Sequence, residues 1–324
     1  MSKVPANNER LIMAADIGGT NCRFASFKVS AGKTAELELK SSYRFLTAAY
    51  SNFPNLVEDV LTSWKKDHAQ PTPEIIVLAV AGPVNKEGNY CKPPLIPWDI
   101  DLRQLNNLPI LLLNDFLAQG YAVGSSLASS ATHFCGPKTA DEKAPLAIIG
   151  AGTGLGKALY LPNKQLALAS EGGHGNIIIE SDADFDVLRF FQQHLARQSI
   201  TWNDLLSGSG LSILHSFFYK DLLRAEDVAT VLNDSPMTLA AFSRFYAMAA
   251  RNFVLDTLAC GGLFIAGGIA AKNPQIVNSP IFAETFTNSF HHSSLLEQIP
   301  CRLITNEESG LWGAASYARL KLLT

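Results

Sequence analysis

The chain has 324 residues, 47% hydrophobic and 17% charged, with a formal net charge of -3. That composition can bury a large core, and the near-neutral balance excludes the basic footprint by which proteins hold nucleic acid or anionic membranes. Cys22, Cys91, Cys135, Cys260 and Cys301 are scattered and form no C-x-x-C, which excludes a disulfide framework and reads as thiols of a reducing compartment.

The first ten residues are polar and lack the long apolar core of a signal peptide. No apolar run approaches the ~20 residues of a membrane span, so a soluble, cytoplasmic protein is expected. The single His pair, His291-His292, reads as a solvated loop and not as a metal site.

In chain order, residues 11–24 (LIMAADIGGTNCRF) place an apolar run before Asp16, a turn at Gly18-Gly19, and a second run after Thr20, Asn21 and Arg23. This is the pattern of a tight hairpin with bare backbone N–H groups at its turn and a carboxylate at its mouth. Such a turn suits a phosphate chain carrying a divalent cation, and it equally fits an ordinary Gly-Gly hairpin. Residues 36–43 supply a third, edge strand. Leu56, Val57, Val60, Leu61 and Trp64 recur at helical spacing and predict an amphipathic helix over residues 55–68. Residues 75–80 (IIVLAV) form a continuous apolar run, as in a strand buried on both faces.

After a Pro-, Gly- and Asn-rich excursion to Pro97, residues 109–113 make a second buried strand that closes on Asn114-Asp115, with a helix predicted at 116–123. Together these describe an α/β domain with a mixed sheet. Residues 125–144 are weakly patterned and read as a surface connection. Then the opening pattern returns: an apolar strand at 145–149, the glycine turn GAGTGLG at 150–156, and a strand at 157–161. A strand–Gly turn–strand unit thus heads each half of the chain. The remainder is mostly helical, with helices at 185–197, 239–259 and 311–322, and short strands at 263–266 and 303–304.

The second glycine turn is neither of two familiar phosphate loops. A Walker A loop needs Gly six positions before its Lys and Ser or Thr after it, whereas Ala151 and Ala158 flank Lys157 at those places. A dinucleotide fingerprint needs a helix after its glycines and a different spacing. What remains is a hairpin tip small enough for phosphate oxygens to approach backbone N–H groups, with the Thr153 hydroxyl as a further donor. Gly267-Gly268 marks a third turn, between a strand and Ile269. Asp115 reads as an N-cap, and also as a fixed carboxylate at the end of a buried strand, where ligands of open α/β sheets bind. Glu171 and His174 flank a Gly-Gly turn soon after the second hairpin.

DIGGTNCRF, LLLNDFLAQGYA, IGAGTGLG, EGGHGN, LSGSGL, GLFIAGGIAAK and SGLWGAASYA, in that order from Asp16 to Ala318, resemble the bacterial glucokinase family of the sugar kinase/actin/Hsp70 superfamily. The resemblance implies two RNase H-like (actin-like ATPase) α/β domains with a cleft between them, residues 1–114 plus 306–324 as the small one and 115–305 as the large. It implies an ATP-dependent hexokinase using Mg²⁺, with glucose as the expected hexose, a place in glycolysis, and room for a homodimer. By motif, Asp16, Ile17, Gly18, Gly19, Thr20 and Asn21, with Gly152, Thr153 and Gly154, hold the ATP phosphates, and Gly267-Gly268 border the adenosine. Asp16 acts on Mg²⁺ through water. Asp115 is the general base toward the sugar hydroxyl, and Asn114, Asp115, Glu171, His174 and Asn203 contact the sugar.

Two positions depart from the family pattern. Pro94-Leu95 stand where a Thr-Asn pair is usual before Trp98, and Asn203 stands where a Glu is usual, with Asp204 beside it. Both lie on the sugar side and bear on specificity. A sugar- or nucleotide-sensing protein of the same fold is the alternative. The ROK branch is disfavoured because no Cys lies between Cys135 and Cys260, and an actin- or Hsp70-like ATPase leaves Asn114-Asp115 and Glu171/His174 without a use.

Overall fold

The computed structural model describes residues 10–30, 36–69, 72–105, 108–139 and 141–323. The chain divides into two compact units, Met1–Leu127 with Glu308–Thr324, and Ala128–Glu307.

In the first unit, β1 (Arg10–Ile17) and β2 (Asn21–Val29) form the expected hairpin, in register from Arg10↔Val29 to Ile17↔Cys22. β3 (Leu37–Leu46) is the edge strand and is exposed along much of its length. α1 (Phe53–Asp67) begins where Asn52 Oδ1 accepts from Asn55 N at 2.9 Å and Pro54 occupies the first turn. β4 (Ile76–Val80) is buried throughout and runs parallel to β1. The two-residue strands β5 (Tyr90–Cys91) and β6 (Ile100–Asp101) pair within the excursion, and β7 (Ile110–Asn114) pairs parallel with β4. The sheet order is β3-β2-β1-β4-β7.

Both faces of this sheet are covered, which is why β4 carries no polar residue. Met13, Ala15 and Ile17 share a core with Phe53, Leu56, Val60 and Trp64 of α1. Alternate residues of a strand point to opposite faces. The other face is closed by the last helix, Ser309–Leu323, whose Trp312 ring lies 5.1 Å from that of Phe27.

The last helix also packs against α2 (Asp115–Ala122), with Tyr121 and Tyr317 rings 4.9 Å apart. The approach is so close that a methyl group on Gly313 would lie 1.8 Å from the Ala118 carbonyl oxygen. This contact keeps α2 in the first unit. The division therefore falls at Leu127, beyond the break expected between Asn114 and Asp115. The apolar face of α2 needs a cover, and its partner lies some two hundred residues away in sequence, where local patterning has no reach.

The second unit contains β8 (Thr132–Cys135), β9 (Leu146–Ala151), β10 (Leu155–Leu161) and β11 (Leu166–Ser170), followed by helices α3 (Asp182–Leu195), α4 (Trp202–Leu205), α5 (Gly208–Tyr219), α6 (Ala225–Val231) and α7 (Pro236–Thr257). Then come β12 (Gly262–Ala266), α8 (Gly268–Lys272), α9 (Pro280–Thr287), α10 (Ser293–Leu296) and β13 (Cys301–Leu303). Its sheet order is β11-β10-β9-β12-β13-β8. β10 is antiparallel to β9 and β11, while β12 is parallel to β9 and β13. The first five places thus repeat the order and directions of the first unit, so the repeat seen at the hairpins extends to whole sheets. β8 lies inside the stretch read as a connection; four residues on an edge are too few to show a period. α7 lays Phe242, Phe245, Tyr246 and Phe253 into the core beneath β9 and β12. Among the described residues no helix is long and apolar enough to cross a membrane.

Candidate active site

In the first unit the chemistry gathers at the C-terminal ends of three neighbouring parallel strands. The ladder runs Ile17↔Val80↔Asn114, so Asp16 at the end of β1 and Asp115 just after β7 stand at the same edge of the sheet. The β1–β2 turn is pinned from outside: Gly18 N donates to Asn21 O at 3.0 Å, while Gly18 O accepts from Thr47 Oγ1 at 2.7 Å. Thr47 N donates to Thr20 O at 3.1 Å, and Asn21 Oδ1 accepts from Arg44 Nε at 3.0 Å. Gly19 and Thr20 are exposed. The side chain of Ile17 is buried in the core, so only its backbone can face a ligand. Leu95, 59% exposed, lies over Gly19, where a methyl group would come within 2.8 Å of Leu95 Cβ.

Asn114, and not Asp115, caps α2. Its Oδ1 accepts from Phe116 N at 3.0 Å and Leu117 N at 3.1 Å, and its Nδ2 donates to Gly82 O at 3.2 Å. Its side chain is thereby occupied in holding the strand-to-helix turn. Asp115 is the first helical residue, and its Oδ1 accepts from Phe116 N at 2.7 Å. Burial lifts its pKa to about 6; the Phe116 bond pulls it down and the Asp16 charge pushes it further up. Burial likewise raises Asp16, against the pull of Arg23, its cross-strand partner. Gln119 Oε1 is buried without a hydrogen-bond partner, and Gln119 Nε2 and the Asp16 carboxylate both flank Gly310. Neither Gln119 nor Thr47 was singled out in the sequence, although Gln119 lies inside the NDFLAQG motif.

In the second unit the β9–β10 tip is held by neutral groups. Gly152 N donates to Gly154 O at 2.8 Å, and Gly152 O accepts from Gly208 N at 2.9 Å. Leu155 N donates to Asn203 Oδ1 at 2.9 Å. At the base of the turn, Ala151 N donates to the buried Tyr246 hydroxyl at 3.0 Å. Gly267, at a φ of +85°, lies against the same place, where a methyl group would come within 2.5 Å of Ala151 O. Only glycine adopts that backbone readily. Nothing lies within 4 Å of where methyl groups on Gly152 or Gly268 would project, and Thr153 is exposed. The structure therefore brings Gly152, Thr153, Gly154, Gly267 and Gly268 together, with open space over two of the glycines.

Asn203, expected on the sugar, has its side-chain oxygen on the hairpin tip. Asp204 is taken up by a capping box with Thr201 and an ion pair to Arg197 at 3.2 Å, so it does not stand in for the missing Glu. Glu171 and His174 are exposed, with His174 Nε2 3.7 Å from Glu171 Oε2. Their turn is seated on β10 by Gly173, where a methyl group would meet Leu155 O at 2.0 Å. Tyr246 and Gly208 were missed in the sequence; Gly208 belongs to the LSGSGL motif, whereas Tyr246 carries no local signal within an apolar helix. No cluster of three or more His, Cys, Asp or Glu fit to hold a metal occurs among the described residues. A divalent cation here would lean on Asp16 with Asp115 nearby and on substrate phosphates, the usual manner for Mg²⁺.

The glucokinase family model matches residues 13–321. The chain is 30% identical to a glucokinase of Nostoc punctiforme, covering 94% of this chain and 98% of that one. Among solved structures, a glucokinase from an Antarctic psychrotroph is similar at 26% identity with a TM-score of 0.81, covering 95% of this chain and 98% of that chain. A Balamuthia mandrillaris glucokinase solved in complex with glucose shares the fold at 19% identity and a TM-score of 0.78, covering 98% and 95%. The match runs through both units and every motif described above, and the chain belongs to the glucokinase family.

Proposed function

We propose that the chain transfers the γ-phosphoryl group of ATP to a hexose, glucose foremost, with Asp115 as the general base. The observation that carries this is the Asp115 carboxylate, fixed by Phe116 N at the end of a buried strand with its pKa raised to about 6. A base with that pKa is ionised at neutral pH yet basic enough to take a hydroxyl proton as the sugar oxygen attacks. Asn114 orients it by fixing the turn. Glu171 and His174 are the exposed polar pair proposed to hold sugar hydroxyls, which both donate and accept.

The backbone of Gly18 to Asn21 and of Gly152 to Gly154 is proposed to receive the phosphates, with Gly267 and Gly268 beside the adenosine. Mg²⁺ near Asp16 would supply charge neutralisation on the phosphates. The repeated sheet supports reading the units as two RNase H-like domains, and the product fits the entry to cytoplasmic glycolysis. Assay of the purified chain with ATP and Mg²⁺ across glucose, mannose, fructose, glucosamine and N-acetylated sugars tests the proposal. The highest kcat/KM is expected with glucose. Tight ATP binding without turnover of any hexose would overturn it in favour of a sensor.

A further inference from the structure

Cys135 ends β8 and Cys301 opens β13, and the two are directly opposite in the antiparallel ladder. Opposed residues of such a ladder have Cα atoms ~4.5–5.5 Å apart, within the roughly 4.4–6.8 Å that a disulfide spans. The register slips beside them: Arg302 pairs with His133, which leaves Phe134 without an opposite residue. Phe134 and Cys135 both pack on the core that contains Cys301, so the bulge aims Cys135 at its neighbour.

The two thiols differ in character. Cys135 is partly exposed, whereas Cys301 is fully buried. The neighbouring Cys301 sulfur holds the pKa of Cys135 down to about 7, against the upward push of burial and with help from the Gly136 N–H, while the Cys301 thiol itself donates to Ile299 O at 3.6 Å. Burial and the Cys135 sulfur keep Cys301 protonated. A reachable, half-ionised sulfur beside a sheltered thiol is the division between an attacking and a resolving cysteine.

We propose that Cys135 and Cys301 are a peroxide-reactive pair that closes to a cross-strand disulfide. The Cys135 thiolate attacks one oxygen of hydrogen peroxide, the O–O bond breaks, and the departing hydroxide takes up a proton to leave as water. The resulting sulfenic acid is attacked by the Cys301 sulfur as its proton is lost; the S–S bond forms, the S–O bond breaks, and a second water leaves. Two thiols are oxidised by two electrons and the peroxide is reduced to two waters. Neither sulfur belongs to the proposed active site, so the reaction is read independently of catalysis.

The test treats the intact chain with hydrogen peroxide at neutral pH, blocks the remaining thiols and maps the peptides. A Cys135–Cys301 link that dithiothreitol removes is expected, with two fewer blockable thiols and a rate that rises with pH through about 7. Cys301→Ser should leave Cys135 as a sulfenic acid that dimedone captures, and Cys135→Ser should leave Cys301 unmodified. Both thiols still blockable after exposure, oxidation confined to the exposed Cys260, or no dimedone adduct in Cys301→Ser would each overturn the proposal. Should a variant fail to fold, the wild-type peptide map decides alone.

Discussion

The two glycine hairpins occupy the same place in two sheets of the same order, yet they are built from different materials. The β1–β2 turn stands beside two half-buried carboxylates, Asp16 and Asp115, and is pressed by Leu95. The β9–β10 turn has no carboxylate among its supports: the Tyr246 hydroxyl, the Asn203 amide oxygen and the Gly208 N–H hold it, and open space lies above Gly152. One sheet order thus carries two different turns, one beside carboxylates and the other held by neutral groups. A repeated sheet order sets the place of each turn, while a few side chains set its charge.

The comparison breaks most visibly at Asp115. Asp115→Asn keeps an acceptor for Phe116 N but removes the proposed base, so kcat should fall by ~10²–10⁴-fold in a coupled assay while ATP affinity holds. In the wild type, kcat/KM for the hexose should rise with pH through about 6 and then level off. The folded pKa lies above the ordinary value of 3.8, so the fold binds the proton more tightly than the unfolded chain does. The ionised carboxylate is therefore a liability that grows as the pH rises from about 4 through about 6. Urea unfolding should show Asp115→Asn more stable than wild type by on the order of 1–2 kcal/mol at pH 7, and no such gain below pH ~4. Wild-type activity in this variant would remove the charge chemistry from the first unit.

At the second hairpin the large effect should be on folding. Gly267→Ala meets Ala151 O at 2.5 Å at a positive φ, and a loss of about 2–3 kcal/mol is expected in denaturant unfolding. Asn203→Ala removes one acceptor from Leu155 N; the KM for ATP should rise about tenfold with that for hexose little moved. A change confined to the hexose KM would return Asn203 to the sugar. The smallest contrast is between the turn glycines themselves. Gly152→Ala meets nothing and should unfold within about 0.5 kcal/mol of wild type while weakening ATP, whereas Gly19→Ala must displace Leu95 and should lose about 1 kcal/mol.

Much of this was legible in the chain because it is local. Continuous apolar runs gave β4 and β7, helical spacing gave α1 and α7, and glycine turns gave both hairpins to within a few residues. Legibility failed where the cause is distant. The place of α2 depends on Gly313, the tip of β9–β10 depends on Tyr246 and Asn203, and β8 exists because β13 lends it a partner. The capping geometry also reversed a local reading, since Asn114 stands at the N-cap and accepts from Phe116 N and Leu117 N, while Asp115 is the first helical residue and shares the N–H of Phe116.

The packing of Gly313 on Ala118 has a consequence for how the protein is made. The first unit is discontinuous: its sheet is synthesised before the second unit, and the helix that closes one face of it only after the second unit. During translation the second unit can complete its core while the first still exposes Ile12, Ala14 and Phe27 to solvent or to a chaperone. The unit that bears Asp16 and Asp115 is therefore closed only after the second unit has been made, and the Asp16–Asp115 edge lacks part of its cover until the Ser309–Leu323 helix has left the ribosome.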